Sequence, residues 1–243
     1  AGAKVAKHGN RGATSNSGSA DVLEAAGVNL VLSAEDVAAT IEQLGIGFMF
    51  APAHHSAMKH VITARKEIGV RTVFNLLGPL TNPAGAPNQV IGVFDAAWIP
   101  SLLEVLKELG SSHVLIVAAE DGLDEISLAA TSTVGELRDG KISQYSIEPA
   151  DFGIERYADY SMLQIGSAEE SLVMLKDALG NRNQAAADIV ALNAGAAIYA
   201  ANLTDDLAAG VAKAQGILHS GVALAKLERL AEFTQSLKKQ IDS

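Results

Sequence analysis

The 243-residue chain has no cysteine, which excludes disulfides, thiolate nucleophiles and cysteine-ligated zinc and is compatible with a reducing compartment. Basic residues are scarce: 18 Lys and Arg stand against 28 Asp and Glu, for a formal net charge of −10. A general basic face for nucleic acid is therefore not expected, and any phosphate site has to be local. No apolar run reaches membrane-spanning length, and no charged segment followed by an apolar core and cleavage site opens the chain. No membrane partner is expected, and the cytoplasm is the default location. The Gly-x-Ser-x-Gly elbow, the Walker loop and the dinucleotide fingerprint are all missing, so hydrolase, ATPase and oxidoreductase readings lack their usual supports. There is no initiator methionine, internal repeat or low-complexity tail. The opening Ala1 to Lys7 reads as a small-residue segment and a strand entered from upstream, so a chain cut before Ala1 is expected.

What is present is a chain 49% hydrophobic, enough to bury a sizeable core. Helices are expected over 19–27, stopped by Gly27, and over 34–44, capped by Ser33 and ended by Gly45. A third is expected over 55–68 after Pro52, and the Pro- and Gly-rich 76–85 reads as a rigid loop. Apolar runs at 89–94 and 113–118, separated by a helical 98–109, have the pattern of a parallel crossover unit. Residues 132–138 and 141–147 flank Asp139-Gly140 and read as a hairpin. From 167 to 241 the chain reads as almost wholly helical. The fold class is α/β, with a mostly parallel central sheet flanked by helices and a smaller all-helical layer. Residues 1–32 are expected to hold a phosphate-binding loop and the first helix of the α/β domain. Residues 33–85 would contribute to the small helical domain and hinge, and 86–243 would complete the α/β domain.

Two clusters carry chemistry. Lys7-His8-Gly9-Asn10-Arg11-Gly12-Ala13-Thr14-Ser15 packs two cations, a carboxamide, two glycines and two hydroxyls ahead of a helix starting near Ser19. Backbone donors, charge and helix dipole converge there on a phosphate-handling loop. Asp121-Gly122-Leu123-Asp124-Glu125 follows an apolar strand, at the strand end where α/β folds bind ligands. Adjacent Asp124 and Glu125 repel one another unless a hard cation sits between them and a polyanion, a demand that Mg2+ meets. A solvated acidic turn is the plainer reading of that stretch alone; its coexistence with the basic segment favours the metal. His54, His55 and His60 match no strict ligand template and receive no catalytic role.

These stretches, with Ser17-Gly18-Ser19-Ala20-Asp21-Val22-Leu23-Glu24 and Phe74-Asn75-Leu76-Leu77-Gly78-Pro79-Leu80-Thr81-Asn82-Pro83, together resemble the anthranilate phosphoribosyltransferase family over the whole chain. The resemblance implies a fold of the nucleoside phosphorylase and phosphoribosyltransferase kind. It also implies phosphoribosyl transfer from phosphoribosyl pyrophosphate to anthranilate, an early step of tryptophan synthesis, with Mg2+ assisting. It implies that Lys7, His8, Gly9, Asn10, Arg11, Gly12, Ala13, Thr14, Ser15 and Ser19 contact phosphoribosyl pyrophosphate. Asn10 and Arg65 would contact anthranilate, Asp124 and Glu125 would hold Mg2+, and no residue is named as a general base. The family's Gly-Thr-Gly-Gly-Asp loop, its Asn-x-Ser-Thr segment and its dimer-building N-terminal helices do not appear. The expectation is a fragment with little activity alone, from an enzyme that is a homodimer at full length. Pyrimidine nucleoside phosphorylases share the fold with a Lys-x-Ser-x-Arg loop, against His8-Gly9-Asn10-Arg11 here. Nucleic-acid-binding paralogues need an added basic surface that the charge of −10 disfavours.

Overall fold

The structure is a computed structural model that describes residues 1–12, 16–54, 78 and 80–241. The expected helix 55–68, and most of the 76–85 loop's Leu-Leu-Gly-Pro start, lie outside the described residues. The chain divides into two compact units.

One unit comprises Lys4–Gly85, Ile165–Val173 and Leu224–Ser243. Strand β1 (Val5–Gly9) pairs in parallel with β2 (Ile46–Phe50), placing Lys7 beside Phe48 and Gly9 beside Phe50. Helix α1 runs Ser19–Ala25 and ends before Gly27, whose φ of 88° reverses the chain. Helix α2 is Ala34–Leu44, as expected. The Ser33 hydroxyl accepts the Asp36 N–H at 3.1 Å and left-handed Gly45 ends it. A short α3 (Ala51–His54) follows β2. The last helix, α8 (Val222–Ile241), returns to this unit. Leu230 joins Ala20, Val28, Leu30, Leu44 and Phe48 in one core cluster, and the Lys226 ammonium donates to the Leu44 carbonyl at the end of α2. The structure thus groups 1–32 and 33–85 largely together, with the chain's C-terminal helix.

The other unit comprises Ala1–Ala3, Ala86–Gln164 and Met174–Ala223. Its sheet has the order β3 (Asn88–Gly92), β4 (His113–Ala119), β5 (Ser132–Arg138), β6 (Lys141–Ile147). β3 and β4 are parallel across helix α4 (Ile99–Glu108), the expected crossover. β4–β5 and β5–β6 are antiparallel, so this sheet is mixed, and β5–β6 is the expected hairpin, turning at Asp139 (φ 50°) and Gly140 (φ 77°). Every residue of β4 is buried, as a strand covered on both faces requires. α4 covers one face, where Gly135 makes room for Ile99: a Cβ there would lie 2.1 Å from its Cγ2. The opposite face, with Leu115, Val117 and Val134, packs against Leu192, Ala196 and Tyr199 of helix α6 (Gln184–Ala200). α6 lies against α7 (Leu207–His219) through Gly195 and Gly210, whose backbones come close enough that a Cβ on Gly195 would sit 2.6 Å from Val211 Cα. Helix α5 (Ala168–Leu179) precedes this pair.

Candidate phosphate and metal sites

The basic segment begins in a strand. Lys7, His8 and Gly9 are the last three residues of β1, although their polar character alone predicts loop. Gly9 lets α1 approach the strand end, since a Cβ there would stand 2.4 Å from Ser19 Oγ and 3.0 Å from the Phe48 ring. The Asn10 carbonyl accepts the Ala20 N–H at 3.2 Å. Lys7, Asn10 and Arg11 are exposed or nearly so, and His8 is half-buried. The segment therefore brings Gly9, Asn10 and Ser19 together at the N-terminal end of α1.

Asp21 ties Gly12 to Gly18. Its carboxylate accepts the Gly12 N–H at 2.8 Å and the Gly18 N–H at 2.9 Å. Those two N–H groups, with Arg11 beside them, hold Asp21 below the usual carboxylate range. Gly18 is tight against this neck, a Cβ there falling 2.4 Å from Gly12 N. Arg11 donates to Glu24 at 2.6 and 3.0 Å and to Asp21 at 3.3 Å, and lies 5.6 Å from the centre of the Phe50 ring. The Glu24 carboxylate raises the Arg11 pKa and is itself lowered by it. The sequence pattern offers these glycine amides and the Arg11 charge to an anion; in the structure they are engaged with Asp21 and Glu24. Ala13, Thr14, Ser15 and Arg65 lie outside the described residues.

The acidic stretch sits at the C-terminal end of β4, as expected. Left-handed Gly122 (φ 87°) and the Ala119 N–H to Leu123 carbonyl bond at 3.0 Å turn the chain. Asp121 accepts the Ser127 hydroxyl at 2.5 Å and the Leu123 N–H at 3.3 Å. Ser127 Oγ in turn accepts the Ala129 and Ala130 N–H groups. Asp121 thus closes the turn, which separates its role from that of Asp124. Asp124 and Glu125 are exposed, followed by buried Ile126, Ser127 and Leu128. From β3, Gly92 admits the Asp124 carbonyl: a Cβ on Gly92 would lie 1.6 Å from that oxygen. From α6, the Asn193 side chain binds both the N–H and the C=O of Ile126.

Two adjacent, exposed carboxylates suit a hard cation that keeps waters and completes its shell with phosphate oxygens. Among the described residues no group of three or more His, Cys, Asp or Glu is placed to hold a metal. Among the same residues no helix is long and apolar enough to cross a membrane.

Residues 1–224 match the family model described as glycosyl transferase family, a/b domain. The chain is 58% identical over 244 residues to the anthranilate phosphoribosyltransferase of Hahella chejuensis, covering 99% of this chain and 70% of that protein. The chain belongs to the anthranilate phosphoribosyltransferase family. The Burkholderia cenocepacia member is 54% identical over 98% of this chain and 69% of its own length. Among solved structures, the family member from Thermus thermophilus superposes with a TM-score of 0.90 at 46% identity, covering 96% of this chain and 69% of that one. The Saccharomyces cerevisiae member, solved in complex with PRPP and Mg, superposes with a TM-score of 0.85 at 29% identity, over 96% of this chain and 65% of that one.

Asp21, Gly92, Ser127 and Asn193 are the supporting residues that the sequence alone does not disclose. Only Asn193 carries a readable signal, a carboxamide in the middle of the apolar run of α6.

Proposed function

We propose that this chain transfers the phosphoribosyl group of phosphoribosyl pyrophosphate to the amine of anthranilate, a step of tryptophan synthesis. The observation that carries the reading is 54–58% identity to anthranilate phosphoribosyltransferases over 97–99% of the chain. In the reaction the anthranilate nitrogen forms a bond to ribose C1, the bond from C1 to the pyrophosphate oxygen breaks, and the amine proton passes to solvent. Anthranilate's amine is already unprotonated near neutral pH, so no strong general base is required. Positioning and stabilisation of the departing charge supply the rate.

In this reading Lys7, His8, Gly9, Asn10, Gly12 and Ser19, with Ala13, Thr14 and Ser15, take the phosphates. Arg11 belongs to the same segment, its guanidinium engaged with Glu24 and Asp21 as the Gly12 N–H is with Asp21. Arg65 pairs with the anthranilate carboxylate and Asn10 places its carboxamide at the amine. Asp124 and Glu125 hold Mg2+, which supplies charge neutralisation to the pyrophosphate. A homodimer and a cytoplasmic location belong to the same proposal, supported by the family resemblance. The charge of −10 speaks against a general basic face, and the nucleoside phosphorylase and nucleic-acid readings are not favoured.

Loss of anthranilate fluorescence is the test, followed with phosphoribosyl pyrophosphate and Mg2+ in this chain and in a version extended to the full length of its relatives. Turnover dependent on all three components is expected, and greater in the longer version. Phosphorolysis of a pyrimidine nucleoside, with no consumption of anthranilate by either version, would overturn the reading.

A further inference from the structure

The peptide that joins Glu125 to Ile126 is held from helix α6 by a side chain that acts as a third strand of backbone. Asn193 Oδ1 accepts the Ile126 N–H at 2.9 Å, and Asn193 Nδ2 donates to the Ile126 carbonyl at 3.1 Å and to the Ile189 carbonyl at 3.0 Å. These three contacts also fix the orientation of the carboxamide, because a flipped amide would set its oxygen against two carbonyls and its NH2 against an N–H. The Ile126 N–H belongs to the same planar unit as the Glu125 carbonyl, so the grip sets the backbone that carries Glu125. Behind it α6 packs closely on α7, where a Cβ on Gly195 would meet the Val211 backbone and one on Gly210 the Gly195 carbonyl. On its other sides the turn is bounded by the Ser127 to Asp121 bond and by the Asp124 carbonyl lodged over Gly92.

We infer that Asn193 is a positioning residue for metal binding: by gripping the Ile126 backbone it fixes the turn that carries Asp124 and Glu125 before any cation arrives. The inference rests on the reading that these two carboxylates hold Mg2+. Neighbouring carboxylates on an unrestrained loop move apart, and a cation would then have to supply the free energy of bringing them back. Ordering the turn during folding removes that cost from binding, as outer hydrogen bonds do at other metal sites.

Mn2+ serves as the probe, added alone to the folded chain while free Mn2+ is read by electron paramagnetic resonance. Asn193→Ala is expected to weaken Mn2+ binding by about 10- to 100-fold, and Asn193→Ser, too short to reach Ile126, by a similar factor. Ile198→Ala is the control. Ile198 lies on α6 in a separate buried cluster with Leu218 and Ala214, so this variant lowers the melting temperature while leaving Mn2+ affinity within about twofold of the parent. Independently of any variant, the Ile126 amide of the metal-free parent is expected to exchange as slowly as those of β4. Unchanged Mn2+ affinity in both Asn193 variants, an equal loss in Ile198→Ala, or rapid Ile126 exchange would each overturn the inference. Asp124→Asn with Glu125→Gln separates the two claims: Mn2+ binding that survives this double variant refutes the metal reading itself, and the assignment of Asn193 falls with it.

Discussion

Replacing Gly92 by alanine puts a methyl carbon 1.6 Å from the Asp124 carbonyl oxygen and 2.6 Å from its carbonyl carbon. Carbon atoms in this position essentially never come closer than 3.0 Å to a neighbour, so the gap has to open by about 1.4 Å. Gly92 is fixed in the ladder opposite Val117, and the turn is the part that moves. The overpacking costs about 1–3 kcal/mol, which at about 2–4 °C per kcal/mol for a chain of this size lowers the melting temperature by roughly 2–12 °C. The larger effect is on the site, where a displacement of about 1 Å in a positioning element costs up to about 100-fold. Melting by calorimetry and the Mg2+ concentration for half-maximal binding of phosphoribosyl pyrophosphate are the two assays. Gly92→Ala is expected to melt lower and to need at least about tenfold more Mg2+, a figure at the low end of the range for outer residues of metal sites. A variant with the parent's melting temperature and Mg2+ requirement would refute the claim that the bare β3 edge seats the acidic turn.

Lys7→Ala should weaken phosphoribosyl pyrophosphate binding about tenfold or more, the loss of one charge-assisted contact of about 1.5–3 kcal/mol. It should also flatten the salt dependence of binding, both read by titration calorimetry at two ionic strengths. Asp21→Asn should alter the acid limb of unfolding. The folded Asp21 carboxyl lies below its ordinary value, so its contribution is complete above the unfolded pKa of about 3.9 and is lost as the pH falls through the lower folded one. The variant should therefore lose less stability than the parent below about pH 4, and identical acid limbs in chemical denaturation would contradict this. Gly195→Ala should lower the melting temperature through a Cβ placed 2.6 Å from the Val211 backbone, by about 1–3 kcal/mol or more of overpacking.

The elements legible in the sequence are those whose signals are local. α2 announces both ends, Ser33 with Asp36 at its start and Gly45 at its stop, and the β5–β6 hairpin is written in Asp139-Gly140 between two seven-residue strands. β1 and β2 are harder to read because each is five residues long and they pair across some forty positions. Lys7, His8 and Gly9 carry the polar character of a loop, and only the pairing with Phe48, Met49 and Phe50 makes them strand. The antiparallel partner of β4 is likewise set by contacts distant in sequence. At the acidic turn the two carboxylates are readable from their adjacency and position after an apolar strand. Their supports at Gly92 and Asn193 come from chain segments about 30 and 70 residues away and have no local cue of partnership. Asp21 shows the same limit: its place in the first turn of α1 is legible, and its grip on Gly12 N–H is not.

The most direct measurement is the calorimetric titration of phosphoribosyl pyrophosphate into the chain with and without Mg2+, repeated on Asp124→Asn with Glu125→Gln. Binding that Mg2+ strengthens in the parent, and that loses this Mg2+ dependence in the double variant, is the predicted result. Equal Mg2+ dependence in both proteins would contradict the assignment of Asp124 and Glu125 as the residues that hold the metal.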